Sequence, residues 1–241
     1  MLVIISDVHL GDGTTADSIS PSAFQLFSNR LRETAYYASF RRDGTYRPIE
    51  NLDLLLMGDI LDPIHSTLWL DTAPGALDYT RPWTNISKPP FAAKLSETTN
   101  SIINVNRESL EILKRCASGE IILLPPATAQ GEPDEDSKQR IPIKVRIHYM
   151  IGNHDWYYHV PGSAFDQIRK TITESMGLCN EFGPFPYNLE EHSALHEIME
   201  SYRVFARHGD CYDKFNFNRE KGRDHSTLGD IFTMDICTST G

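Results

Sequence analysis

Four short apolar runs in this chain each stop abruptly at a cluster of polar residues. The run at 2–6 ends at Asp7-Val8-His9, and the run at 51–57 ends at Gly58-Asp59-Ile60-Leu61-Asp62. The run at 141–151 ends at Gly152-Asn153-His154-Asp155, and the run at 202–206 leads to His208-Gly209-Asp210. Residues 2–6 are β-rich and 141–151 alternates with a period of two, so these runs read as strands. Asn, His and Asp cost free energy when buried unpaired, so each cluster marks where the chain leaves the interior. In layered α/β proteins, ligands bind just beyond the carboxyl ends of strands.

Helical segments fall between the strands. Pro21 and Ser22 open one helix, whose apolar face is Phe24, Phe27, Leu31 and Ala35. A second is expected over 93–116, with Ile103, Leu110 and Leu113 on one stripe. Ser163 and Asp166 are spaced as a capping box before the stripe Phe165, Ile168, Ile172 and Met176. A further helix is expected over 189–200, and a short strand over 120–126 stopped by prolines. The alternation gives an α/β protein in a single domain spanning 1–241. Residues 63–92, rich in Pro, Gly and Thr and carrying Trp69 and Trp83, read as a surface insertion able to overhang a site. The polar stretch 127–140 reads as a mobile loop.

Composition narrows the function classes. A formal net charge of -10 and the lack of a Lys/Arg-rich stripe disfavour a general nucleic-acid binder. Small phosphates remain open, because a bound cation reverses the local field. The four cysteines, Cys116, Cys179, Cys211 and Cys237, form no CxxC pair, which suits reduced thiols and a cytoplasmic location. The N-terminus lacks a basic region before its apolar run, and no apolar run is long enough for a transmembrane segment. The sequence carries no code for the oligomeric state.

Taken singly, each cluster has a local explanation, as a turn, a helix cap or a satisfied histidine. Taken together, carboxylates, imidazoles and an amide oxygen are the ligand types that suit Mn, Fe or Zn. A carboxylate shared by two ions would suit a two-metal centre. His148 sits within its strand and reads as structural. His65 and His159 lie near clusters and read as solvated histidines.

The ordered set D-x-H, GD-x-x-D, GNHD and a later His resembles the calcineurin-like metallophosphoesterases. The resemblance spans Asp7 to Asp210, and HGD at 208–210 resembles the branch that includes the UDP-diacylglucosamine pyrophosphohydrolases. It implies an α/β/β/α sandwich of two mixed sheets flanked by helices. It also implies two divalent metal ions and a small phosphorylated or pyrophosphate substrate, hydrolysed by a metal-activated hydroxide. By matching position, Asp7 and His9 would bind the first metal, Asp59 would bridge both, and Asn153 and His208 would bind the second. His154 would be the general acid or would stabilise the scissile phosphate, Asp155 would orient it, and Asp62 would support the ligands. The family's late G-H-x-H is not found here. His225 is the only histidine after His208, and it lacks that pattern. The expectation is therefore an N-terminal portion of a longer protein, with the last two ligands beyond residue 241. A DNA exonuclease of the same superfamily and a non-catalytic scaffold of the same fold are the alternatives.

Overall fold

The central strand of the fold is the one whose residues are apolar without alternation. In the computed structural model, which describes residues 1–238, all of β2 (Leu52–Met57) is buried. A strand covered on both faces needs apolar residues at both parities, as parallel strands in α/β folds do. β2 lies between β1 (Leu2–Ile5) and β5 (Val145–Met150) and is parallel to both. The register pairs Ile4 with Leu55, and Leu54 with Ile147. One charged residue interrupts β2. Asp53 is buried, and Arg146 on the neighbouring strand donates to its Oδ2 at 3.0 Å.

Parallel neighbours require crossovers, and helices supply them. α1 (Pro21–Ala38) links β1 to β2. α2 (Pro89–Val105) and α3 (Arg107–Ser118) lie between β2 and β5, with two short strands, β3 (Leu123–Leu124) and β4 (Ile141–Pro142), after them. α4 (Ser163–Met176) follows β5. Leu54, Leu56, Ile147 and Tyr149 pack in the main core with Phe24 and Leu31 of α1, Leu95 and Ile102 of α2, Leu113 of α3 and Ile172 of α4. On the other face, Leu55, Met57 and Met150 pack with Leu195 and Met199 of α5 (Ser193–Tyr202). α6 (Leu228–Phe232) passes into a π-helical turn at Thr233–Thr238, and its Met234 joins the main core. No helix among the described residues is long and apolar enough to cross a membrane.

The helix expected over 93–116 starts earlier, at Pro89, and is divided at Asn106. The Asn106 amide donates to Ile102 O and to Gly11 O, both at 2.8 Å, tying the break to the segment after β1. α4 is capped by Gly162 rather than by Ser163, and Asp166 instead pairs with Arg169. The expected strand at 202–206 is not formed. Tyr202 ends α5, and Arg203 closes it in the left-handed region at φ 55°. β-propensity is realised only against a neighbouring strand, and Val204 N bonds back to Met199 O at 3.0 Å. The run at 120–126 yields only the short β3, paired antiparallel with β4. The run at 141–151 therefore divides between two sheets. A second large sheet, as a two-sheet sandwich needs, is not formed among the described residues; the fold is mixed α/β, with one three-stranded parallel and one two-stranded antiparallel sheet.

The 63–92 segment is less superficial than its composition suggests. It forms 3-10 turns at Pro63–His65 and Thr67–Leu70, and its last residues begin α2. Trp69 is fully buried and donates through Nε1 to Pro63 O at 2.7 Å. Residues 127–140 contribute only β-bridge geometry between Ala127 and Pro133, and Gly131 O accepts from Tyr46 N at 2.6 Å.

Leu54→Ala removes a fully buried side chain from the central strand and should cost about 2–5 kcal/mol. Urea unfolding followed by circular dichroism checks this through a lowered midpoint at unchanged slope.

Candidate metal centre

Because β1, β2 and β5 run in parallel, the segments after them emerge at one edge of the sheet. Backbone hydrogen bonds continue past the strands. Asp7 N donates to Gly58 O at 3.1 Å, His9 N to Asp59 O at 2.9 Å, and Gly58 N to Met150 O at 2.9 Å. Asp7, His9 and Asp59 are all in the left-handed region, at φ 55°, 50° and 53°. Each such residue costs about 1–2 kcal/mol in a free chain. Strain of this kind persists where the surroundings over-determine it, and it concentrates at functional sites.

Two glycines allow the segments to close on one another. A Cβ on Gly152 would collide with Asp59 Oδ1 and would lie 2.8 Å from His208 Cε1. A Cβ on Gly58 would lie 2.7 Å from both Gly152 N and His208 Cδ2. The glycine-polar pairs in the sequence thus reflect close backbone approach as well as turning.

Asp62, 3% exposed, organises the imidazoles. Its Oδ2 lies 2.8 Å from His9 Nδ1 and 2.7 Å from His65 Nδ1, and its Oδ1 lies 3.1 Å from His154 Nδ1. Burial opposes ionisation of Asp62, but hydrogen bonds from His154, His65 and His9 hold its carboxyl well below the ordinary value. With Nδ1 engaged by the carboxylate, each ring keeps Nε2 as its second donor atom, the arrangement that orients metal-binding histidines. The His9 and His154 rings meet edge to face at 4.7 Å, and the His65 and His154 centroids are 5.1 Å apart.

Asp59, also 3% exposed, lies between two sets of donors. Its Oδ1 accepts from His154 N at 2.8 Å. Its Oδ2 is 3.3 Å from His208 Nε2 and 3.9 Å from His9 Nε2. His208 Nε2 is also 3.5 Å from Asp7 Oδ1. Among the described residues, three groups bring their donor atoms within 4.8 Å of one another: His9, Asp59 and His154; Asp7, Asp59 and His208; and Asp62, His65 and His154. Asp59 is common to the first two. Asn153 lies half-buried in the tip between β5 and the next turn.

These residues fit a metal ion. Both ring nitrogens of His208 are buried without a hydrogen-bond partner, although they face carboxylates. The donors are oxygen and nitrogen, with no thiolate among them. Burial opposes protonation of His208, but Asp210 and Asp59 push it up to about 11. His154 is likewise raised to about 9, with Asp62 and Asp59 outweighing burial. Protons on the imidazoles thus compensate the same carboxylates that would attract a cation.

The structure brings Asp7, His9, Asp59, His154 and His208 together. It changes the partner of His154. The carboxylate holding that ring is Asp62, not Asp155. Asp155, fully buried, accepts instead from Gly152 N at 2.6 Å, Tyr149 OH at 2.6 Å and Ile60 N at 3.1 Å. It clamps the tip to the segment after β2. Burial and the charge of Asp59 raise its pKa to about 6. Asp7 groups with Asp59 and His208 rather than with His9. His65, read from the sequence as solvated, is the third imidazole on Asp62. His225 is exposed and lines a cleft with Trp83, apart from all three donor groups. Tyr149 and Arg223 were not indicated by the sequence. Tyr149 reads there as one more apolar strand residue, and Arg223 lies in a polar stretch without periodicity.

Compared with models of protein families, with curated proteins and with solved structures, the chain matches none.

Gly152→Ala should cost about 1–3 kcal/mol through overpacking against Asp59 and His208, and should weaken Mn²⁺ binding. Thermal unfolding and calorimetric titration measure the two effects. A pH effect is expected from His159, whose Nδ1 bonds Asp224 Oδ1 at 2.5 Å and whose Nε2 faces Glu191 Oε2 at 3.4 Å. Burial disfavours the charge, but the two carboxylates raise the pKa from 6.5 to about 9. A raised pKa contributes stability that is complete below pH 6.5 and lost as pH climbs through 9. Unfolding midpoints across that window should fall more steeply for the wild-type chain than for His159→Gln.

Proposed function

We propose that this chain is a metal-dependent phosphoesterase of the calcineurin-like metallophosphoesterase type. It would hydrolyse phosphomonoester, phosphodiester or pyrophosphate bonds in a small substrate. The observation that carries the reading is the position of Asp59, one buried carboxylate whose Oδ2 faces both His9 and His208, in two groups that could hold a metal ion. Asp7, His9, Asp59, Asn153 and His208 would supply the donors for two divalent ions, with Mn, Fe or Zn suited to them. Bound there, the ions would offset charge on the phosphoryl oxygens and lower the pKa of an attacking water.

The remaining chemistry belongs to the chain. His154 is held by Asp62 at Nδ1, and the carboxylate of Asp62 favours its protonated form. As the bond from phosphorus to the leaving oxygen breaks, the ring proton passes to that oxygen. Asp62 then stabilises the ring in the required tautomer and orientation. Asp155 keeps the tip in register with Asp59 through Ile60 N and Gly152 N. The three-stranded parallel sheet with its crossover helices supports only the α/β part of the reading, since α5 covers the face on which an α/β/β/α sandwich packs its second sheet. The free thiols of Cys116, Cys179 and Cys211 suit a cytoplasmic setting.

Hydrolysis of nitrophenyl phosphate and of bis(nitrophenyl) phosphate in the presence of Mn²⁺ tests the proposal. Asp59→Asn should abolish turnover. His154→Ala should lower kcat by about 10²–10⁴-fold, the usual contribution of a positioned acid. Activity that neither substitution changes would remove the proposal.

A further inference from the structure

Arg223 is 6% exposed, although the segment that carries it, 219–227, forms no helix or strand. Its guanidinium reaches two places that bear on the donor groups. Nη2 bonds Asp210 Oδ2, and Nη1 donates to the Gly152 carbonyl at 3.3 Å. The other oxygen of Asp210 lies 3.6 Å from His208 Nδ1. Gly152 immediately precedes Asn153. The guanidinium also lies over two rings, 4.5 Å from the Tyr187 centroid and 4.8 Å from that of Phe217. The next residue, Asp224, bonds His159 at the far end of the same tip. Adjacent residues of one irregular segment thus hold both ends of 152–159.

Stability alone is a poor account of this pair. A buried ion pair recovers its desolvation cost only when its remaining hydrogen-bonding groups are satisfied. Here Asp210 Oδ1 and both His208 nitrogens lack a hydrogen-bond partner, so the network is open on the side of His208. We propose that Arg223 is a positioning residue for the metal centre: through Asp210 it orients the His208 ring, and through the Gly152 carbonyl it fixes the tip that presents Asn153. The inference rests on the metal-dependent reading above. Asp210 facing Nδ1 leaves Nε2 turned toward Asp59 and Asp7 as the donor atom. A carboxylate behind a ligating imidazole acts in this way on its orientation and basicity. The planar fork matters, because one guanidinium reaches both acceptors at once; a lysine ammonium on a flexible stem does not reproduce that geometry.

The test titrates the full chain with Mn²⁺ by calorimetry and with Co²⁺ by visible absorption. Wild type, R223K and D210N are compared, with folding checked by circular dichroism. The expected result is wild-type binding, with about 10–100-fold weaker affinity in R223K, as for other residues that support metal ligands. The Co²⁺ absorption band at saturation should also shift. A purely structural role would lower the unfolding midpoint and leave the spectrum of the bound ion unchanged. D210N keeps the side-chain shape and an acceptor for Arg223, so it carries the same readouts where R223K does not fold. Wild-type affinity and an unshifted band in the folded variants would overturn the positioning role alone. A folded wild-type chain that binds neither ion would overturn the metal-dependent reading and this inference with it.

Discussion

The buried carboxylate of Asp62 is the point on which the site depends. A charge this deep is tolerated only when its oxygens are fully engaged. Three imidazoles engage them, from the segments after β1, β2 and β5. The same bonds fix the rings of His9, His65 and His154 relative to one another and leave their Nε2 atoms available. Satisfying one buried charge therefore orients three imidazoles at the edge of the sheet.

Around Asp62 the molecule concentrates further cost. Three non-glycine residues adopt left-handed backbone, Asp59 and Asp155 are buried, and His208 has no hydrogen-bond partner for either ring nitrogen. Each of these opposes folding by an amount of order 1 kcal/mol or more. The main core, spread over both the sheet and four helices, supplies the compensation. The division of labour is spatial. Apolar residues lie within the strands and on the inner helix faces, and unfavourable features lie past the strand ends. That distribution accords with the proposed site for a charged ligand.

Asp7, His9, Asp59 and His154 were legible because each follows an apolar strand, and a strand in an α/β sheet delivers the residues at its carboxyl end to the ligand-binding edge, whereas His208 follows no strand and arrives on an irregular segment. Asp7, His9, Asp59, His154 and His208 converge as the pattern implied. The failures have physical causes as well. The run at 202–206 has strand-like residues but no strand beside it, so α5 closes through Arg203 and the segment stays irregular. The choice between Asp62 and Asp155 as partner of His154 turns on side-chain direction. The family resemblance assigned that role to Asp155, yet its carboxylate points back toward Ile60 N and Tyr149 OH. Asn106 divides a stretch of helical periodicity because its side chain has a partner, Gly11 O, that lies far away in the sequence.

The sequence by itself determined the α/β alternation, the strands before Asp7, Gly58 and Gly152, and the polar clusters that follow them. These result from local rules: burial excludes unpaired polar groups, and period and composition set the element type. Only the tertiary structure decided which carboxylate serves which imidazole, that His65 joins them, and that Arg223 reaches Asp210 and Gly152. The contacts of Asp62 with His9 and His154, and of Arg223 with Gly152, join residues 53 to 92 positions apart, and no local pattern encodes the direction in which a side chain points across such a distance.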